Sequence, residues 1–163
     1  MSTHQPIHPK TSIGHIHLKV SDLERAITFY TEVLGFEITE RMGNNAAFLS
    51  AGGYHHYIAL NTWESEGGHP PAIRNTGLYH FAILMPDRKA LAASIQRLTD
   101  HEWPIEGASD HGVSESVYLR DPDGNGIEMY VDRPKDAWPR DEKGNIVMYT
   151  RGLDIEGLLK EEL

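Results

Sequence analysis

Two short segments of the chain follow the same rule of hydrophobic and polar positions. The first is His15-Ile-His-Leu-Lys-Val-Ser-Asp22 and the second is His80-Phe-Ala-Ile-Leu-Met-Pro-Asp87. In each segment a histidine precedes a strand-like apolar run, and an aspartate follows that histidine by seven residues. Such a repeat predicts two related structural units, each of which begins with a β-strand.

A helix is predicted after each of these aspartates. After Asp22 the apolar residues recur every three or four positions, and Gly35 stands where a glycine commonly ends a helix. The same spacing recurs after Asp87, and both aspartates are suitable N-cap residues. The apolar helix positions are Leu23, Ala26, Ile27, Tyr30, Val33 and Leu34 in the first helix and Leu91, Ile95 and Leu98 in the second.

Short strands are predicted after each helix, and turn residues separate the last two strands of each unit. These turns are Gly52-Gly53 and Asp121-Pro-Asp-Gly124. The predicted strands are 37–41, 46–50, 57–61, 116–120 and 126–131. The pattern is typical of an α+β fold built from two βαβββ units.

The predicted elements divide the chain into an arm, one module and a tail. The arm covers residues 1–12, the module 13–131 and the C-terminal tail 132–163. Within the module, units 13–63 and 77–131 are joined by the linker 64–76. Neither unit can bury its sheet alone, so the two are expected to pack together. The amphipathic end of the tail is expected to pack on the outside or on a partner subunit, and no chemistry is assigned to it.

Strand parity places three metal-ligating side chains on the same side of the predicted sheets. Alternate residues of a strand share a face, and the apolar face must meet the helices. The apolar sets are Ile16, Leu18 and Val20; Phe81, Ile83 and Met85; and Ile127, Met129 and Val131. The opposite face therefore carries His15, His80 and Glu128, together with Tyr118. Two imidazoles and one carboxylate form a triad suited to Fe(II), and Mn(II), Ni(II) or Zn(II) can also accept these ligands.

Composition and net charge exclude several kinds of site and several classes of partner. The 163 residues include ten histidines and no cysteine, which excludes disulfides, thiolate zinc sites and iron–sulfur clusters. The formal charge of −9 argues against nucleic-acid or anionic-membrane partners. Because the chain has neither a signal-peptide pattern nor a long apolar run, a cytoplasmic location is expected. Four histidines outside the predicted strands are interpreted as surface residues: His4, His8, His69 and His101.

Three segments carry a resemblance to a known family. They are His15 to Leu23, Phe29-Tyr-Thr-Glu-Val-Leu-Gly-Phe36 and Asp121-Pro-Asp-Gly-Asn-Gly-Ile-Glu128. Together they resemble the vicinal oxygen chelate superfamily of glyoxalases, extradiol dioxygenases and fosfomycin- or bleomycin-resistance proteins. The resemblance covers about residues 12–132. It implies paired βαβββ units that form a cupped mixed sheet with helices outside, and metal ligands at His15, His80 and Glu128.

Within that superfamily the chain is most similar to catechol 2,3-dioxygenase-like proteins. The resemblance implies that His56 is the acid–base histidine, that Tyr118 is an active-site tyrosine, and that His111 is a further active-site histidine. Strict alternation along the strand would turn His56 away from the site, so His55 remains the alternative. His17 is left undecided between a pocket residue and a surface histidine.

The implied activity is cleavage of a catechol-like aromatic diol with O₂ at a metal centre, most simply Fe(II). A glyoxalase-type lyase or isomerase, a fosfomycin-type transferase and a drug-binding resistance protein are the alternatives. Ala59 stands where glyoxalase I-type sites take a fourth ligand, which disfavours the isomerase. Extradiol enzymes commonly have two modules and this chain has one, so a homodimer is expected. Whether the ligands come from one chain or two is left open.

Overall fold

Two β-sheets and three α-helices make up the computed structural model, which describes residues 5–72 and 74–163. The first four residues of the predicted arm, which include His4, lie outside the described residues. Within the described part of the chain, no helix is both long and apolar enough to cross a membrane.

The first unit contains four strands and one helix. They are β1 (Ile16–Lys19), α1 (Leu23–Thr28), β2 (Glu37–Met42), β3 (Ala46–Ser50) and β4 (Ile58–Asn61). Its sheet has the order β1-β4-β3-β2, with β1 parallel to β4 and the other pairs antiparallel. This is the strand order that a βαβββ unit forms when its helix returns the chain to the far edge of the sheet.

The second unit repeats this topology and adds the tail. Its elements are β5 (Phe81–Leu84), α2 (Arg88–Asp100), β6 (Gly107–Asp110), β7 (Ser114–Arg120) and β8 (Gly126–Asp132), followed by β9 (Arg151–Gly152) and α3 (Ile155–Glu162). The sheet order is β5-β8-β7-β6-β9, again with a parallel first pair, β5 and β8. The predicted α+β class with paired βαβββ units is confirmed, and the strands of the two units form two separate sheets.

Two strands of the second sheet were not expected from the sequence. Strand β6 reads Gly-Ala-Ser-Asp and has neither a β-branched nor an aromatic residue, so its propensity for strand is low. It forms because β7 offers it an antiparallel partner, with Ala108 opposite Val117. The tail then adds β9 to the other side of β6. Pairing of β6 with β7 and β9 therefore outweighs the low strand propensity of its own residues.

The predicted helix caps are present. The Asp22 carboxylate accepts a hydrogen bond from the Arg25 N–H at 3.0 Å, and Asp87 accepts one from Ala90 at 2.8 Å. α1 continues into a π-helical segment, Phe29–Val33, which ends at Gly35 with φ +86°. This left-handed backbone favours glycine, whereas a Cβ at Gly35 would meet only the movable end of the Arg97 side chain on α2.

A buried hydrogen bond joins the two units. The Tyr30 hydroxyl, in the π-helical segment that follows α1, donates to Asp121 Oδ2 at 2.9 Å. The other oxygen of Asp121 accepts from the backbone N–H groups of Asp123 and Asn125, which shapes the turn before β8. The Asp123 carboxylate in turn pairs with Arg25 at 2.8 Å. Burial, followed by the neighbouring Asp121 charge, raises the pKa of Tyr30, so the phenol stays a donor.

The tail packs on its own chain. Leu158 of α3 is 1% exposed and belongs to the main hydrophobic core. Arg88 at the start of α2 pairs with the buried Glu115 at 2.8 Å and also reaches Glu161 and Glu162 on α3. The amphipathic end of the chain therefore covers α2 within the same chain.

We expect Tyr30→Phe to lower the free energy of unfolding by about 1–3 kcal/mol, because it leaves the buried Asp121 oxygen without its donor. Tyr57→Phe is the matched control, since Tyr57 is 45% exposed, and should change stability by less than about 0.5 kcal/mol. Urea unfolding at one fixed protein concentration measures both. Equal effects of the two substitutions would contradict a role for this bond in joining the units.

Candidate functional site

Three of the candidate histidines lie on the outer face of the first sheet. His15 is the last residue before β1, His17 lies in β1, and His56 lies in the loop before β4. The rings of His15 and His56 are 4.5 Å apart, and the His56 ring lies 5.1 Å from Phe48 of β3. We call this set, His15, His17, Phe48 and His56, the histidine face.

The position of His56 differs from strict strand alternation. Extending the pleat of Ile58 and Leu60 backwards would place His56 on the helix side of the sheet. The regular strand begins only at Ile58, so the chain is free to turn at residue 56. His56 therefore lies next to His15, while His55 stacks on Tyr54 with a ring distance of 4.0 Å.

The environment of His56 favours a neutral ring. Desolvation lowers its pKa, and the neighbouring imidazoles of His15, His55 and His17 lower it further. A neutral imidazole has one bare nitrogen and can accept a proton at neutral pH. His17, by contrast, already accepts a hydrogen bond at Nε2 from the Asn61 amide at 2.8 Å. This gives His17 a structural partner within its own sheet.

The remaining candidate residues meet on the outer face of the second sheet. His80 Nε2 lies 3.1 Å from Glu128 Oε2. The Tyr118 hydroxyl donates to Glu128 Oε1 at 3.0 Å, and His111 Nε2 lies 2.7 Å from the same hydroxyl. Strand register explains the arrangement, because Glu128 stands directly opposite Tyr118 on β7 and beside Ala82 on β5. We call this set, His80, Tyr118 and Glu128, the carboxylate face.

A residue of the tail orients His111. His111 Nδ1 lies 3.0 Å from the carbonyl oxygen of Tyr149. A carbonyl only accepts, so Nδ1 carries a proton directed at Tyr149. The Tyr118 hydroxyl lies on the other side of the ring, at Nε2, and donates its single proton to Glu128. Burial and the Glu128 carboxylate raise the pKa of Tyr118, which keeps this proton on the phenol.

Tyr149 was not predicted to contribute to a site, although the sequence contains a signal for its position. Asp141-Glu-Lys-Gly-Asn145 repeats the pattern Asp121-Pro-Asp-Gly-Asn125. In both loops the aspartate accepts two backbone N–H groups and the asparagine amide. The repeated turn folds the tail back, so that Tyr149 reaches His111.

The histidine face and the carboxylate face do not combine within the chain. Among residues 5–72 and 74–163, no three His, Cys, Asp or Glu side chains are gathered so that they could hold a metal ion. His80 and Glu128 are in contact, whereas His15 lies with His56 on the other sheet. The structure thus brings together two of the three candidate ligands.

Sequence comparison agrees with this architecture. The family model described as "Glyoxalase/Bleomycin resistance protein/Dioxygenase superfamily" matches residues 12–129. The chain belongs to this superfamily. Among solved structures of the superfamily fold, a glyoxalase/dioxygenase from Nostoc punctiforme aligns with a TM-score of 0.65 and 21% identity, covering 82% of this chain and all of that one.

Two of the similar curated proteins have names that state an activity. A catechol-2,3-dioxygenase of Bacillus subtilis is 48% identical over 95% of this chain and 53% of its own length. Glutathione transferase FosA of Serratia marcescens is 28% identical over 74% of this chain and 80% of its own length. The chain therefore spans about half the length of the Bacillus protein.

We expect ¹⁵N-resolved NMR to show the His111 ring in the Nδ1–H tautomer, because the Tyr149 carbonyl can only accept. The exposed His101 serves as a reference for a ring without such a constraint. An Nε2–H tautomer at His111 would contradict the arrangement described above.

Proposed function

We propose that the protein is a metal-dependent extradiol dioxygenase that cleaves a catechol-like aromatic diol with O₂. The observation that supports it most directly is the carboxylate face, where His80 and Glu128 are in contact beside the Tyr118–His111 pair. The similarity to the Bacillus catechol-2,3-dioxygenase, at 48% identity, agrees with this activity.

The donor set fits a divalent metal. His80 Nε2 and Glu128 Oε2 point toward each other at 3.1 Å, so an imidazole and a carboxylate already face one position. His15 would supply the second imidazole. We propose Fe(II), since two imidazoles and one carboxylate leave coordination positions open for substrate and O₂, with Mn(II), Ni(II) and Zn(II) as other metals that accept this set. When bound, the metal would lower the pKa of the diol hydroxyls and provide the position for O₂.

Three further residues would provide the hydrogen bonds and proton transfer of the reaction: Tyr118, His111 and His56. The Tyr118 hydroxyl can hold a hydrogen bond to an ionised substrate oxygen in place of its present bond to Glu128. His111, oriented by the Tyr149 carbonyl, would hold the Tyr118 hydroxyl in position through the contact at Nε2. His56, with its lowered pKa, can accept the second substrate proton and return it later. Such general acid–base help typically contributes about 10²–10⁴ in rate.

A metal-dependent transferase is the second candidate. It is supported by the similarity to FosA, which extends over 80% of that protein. This reaction would require the metal ligands but neither O₂ nor a proton acceptor at His56. A glyoxalase-type isomerase is less well supported, because Ala59 is buried in β4 and has no donor atom to offer as a fourth ligand. A protein that only binds a drug would not require the His80–Glu128 pair.

After anaerobic loading with Fe(II), addition of catechol or a substituted catechol and then air should lead to O₂ uptake and a yellow ring-cleavage product. An oxygen electrode and visible absorbance measure these quantities. Stoichiometric Fe(II) without O₂ uptake across a broad panel of diols would exclude the dioxygenase. Metal-dependent transfer of glutathione to fosfomycin would favour the second candidate.

His15→Ala and Glu128→Ala should each lose the bound metal, because each removes one of three proposed ligands. His101→Ala, at an exposed site beyond α2, is the control and should retain it. Elemental analysis after gel filtration gives the metal content. Full metal content in either ligand variant would refute the assignment.

His56→Gln should keep the metal but lower kcat by about 10²–10⁴, since it removes the proposed acid–base group without removing a ligand. His101→Gln, at an exposed site beyond α2, is the control. His55→Gln tests the neighbouring histidine, whose Nδ1 lies 2.8 Å from Nδ1 of His56. If His55→Gln lowers kcat and His56→Gln does not, the two histidines exchange roles.

A further inference from the structure

A row of aromatic rings runs along the outer face of the first sheet, starting beside His56. The Phe48 ring lies 5.1 Å from the His56 ring and 6.4 Å from the His17 ring. The Trp63 ring follows, 5.5 Å from the His17 ring. We call Phe48, His17 and Trp63 the aromatic row. It leads away from the candidate ligand His15, which contacts His56 at the other end.

Strand register brings the first two rings of the row together. Ala59 of β4 stands opposite His17 of β1 on one side and opposite Phe48 of β3 on the other. Ala59 is buried and carries only a methyl group, so the rings on either side approach each other above it. A longer side chain at this position would separate the two rings. The small residue therefore makes the surface of the row continuous.

A buried asparagine fixes the far end of the row. Asn61 is 6% exposed and uses both polar atoms of its side chain. Its oxygen accepts a hydrogen bond from the Trp63 backbone N–H at 3.1 Å, which turns the chain at the end of β4. Since that oxygen accepts, the other atom belongs to the NH₂ group, which donates to His17 Nε2 at 2.8 Å. One side chain thus holds the His17 ring and the backbone of Trp63 in place.

The row is an exposed surface that contains neither a carboxylate nor an ammonium group. Trp63 is 58% exposed, although burying so large a ring would be favourable. The charged side chain that follows His17 on this face of β1 is Lys19, and it pairs with Glu64 at 3.6 Å. A flat aromatic surface whose neighbouring charge is already paired matches an uncharged planar ring better than a charged group.

We propose that the aromatic row is a subsite for a second planar ring of the substrate, so that the protein selects aryl-substituted catechols over catechol itself. This inference rests on the proposed function, which places the diol beside His15 and His56. His17 lies about 7 Å further along the chain than His15. A single ring bound at His15 therefore reaches only Phe48, whereas a ring attached to it extends over His17 to Trp63. Offset and edge contacts between aromatic groups would stabilise the second ring there.

Substrate selectivity tests this subsite. We would measure kcat/KM of the Fe(II)-loaded protein by O₂ uptake for 3-phenylcatechol, 4-phenylcatechol and catechol. The wild type should prefer one of the phenylcatechols over catechol, and Trp63→Ala should lower that preference about tenfold. Trp63→Phe keeps a planar ring and should restore most of the preference. Tyr54→Ala is the matched control and should leave it unchanged, because Tyr54 is 39% exposed but stacks on Tyr57 instead of on the row.

Binding measurements separate this subsite from the proposed reaction. Anaerobic calorimetry gives the Kd of the same three compounds. Tighter binding of a phenylcatechol that depends on Trp63, without O₂ uptake from any diol, would support the subsite and exclude the dioxygenase. O₂ uptake with an unchanged preference in Trp63→Ala would overturn the subsite and leave the dioxygenase in place. The subsite is also wrong if the wild type prefers catechol or binds none of the three compounds. A dimer that Trp63→Ala converts into a monomer on gel filtration would overturn it too, since a second copy would then cover the row.

Discussion

The hydrogen bond from Tyr30 to Asp121 organises this protein more than any other single contact. It is buried, it joins residues 91 positions apart, and the same carboxylate holds the turn that begins β8. Because Asp121 is nearly inaccessible, its carboxyl oxygens depend on these donors rather than on water for their hydrogen bonds. Together with the shared hydrophobic core and the pair of Arg25 with Asp123, the contact holds the helix of the first unit against the turn before β8.

The packing of the two units also determines where the ligating side chains lie. The joined helix sides bury the apolar halves of both sheets, and the polar halves with their ligating side chains remain at the surface. On the carboxylate face a connected set of groups already exists, running from His80 through Glu128 and Tyr118 to His111. The tail extends this set by one further contact at the Tyr149 carbonyl. The tail therefore has a role in orienting a candidate active-site histidine, in addition to covering α2.

The sequence was a good guide to each unit taken alone. Alternation identified the outward-facing residues of the strands, and Asp22 and Asp87 cap the helices as predicted. The sequence predicted less well those segments whose conformation depends on pairing with adjacent strands. Strand β6 has little intrinsic preference for its conformation, and the turn at His56 depends on where pairing with β3 begins. Neither can be inferred from the residues of the segment itself.

Local rules were sufficient to name His15, His80 and Glu128 as candidate ligands, because side-chain direction in a strand depends only on the parity of neighbouring residues. Membership in the superfamily was equally readable from the repeated motifs. The position of one sheet relative to the other could not be predicted in this way. It depends on contacts between residues that are far apart in the chain, such as Tyr30 with Asp121 and Arg25 with Asp123. Only the tertiary structure showed that His15 lies with His56 on the first sheet while His80 and Glu128 are in contact on the second, because such proximity depends on packing between distant parts of the chain.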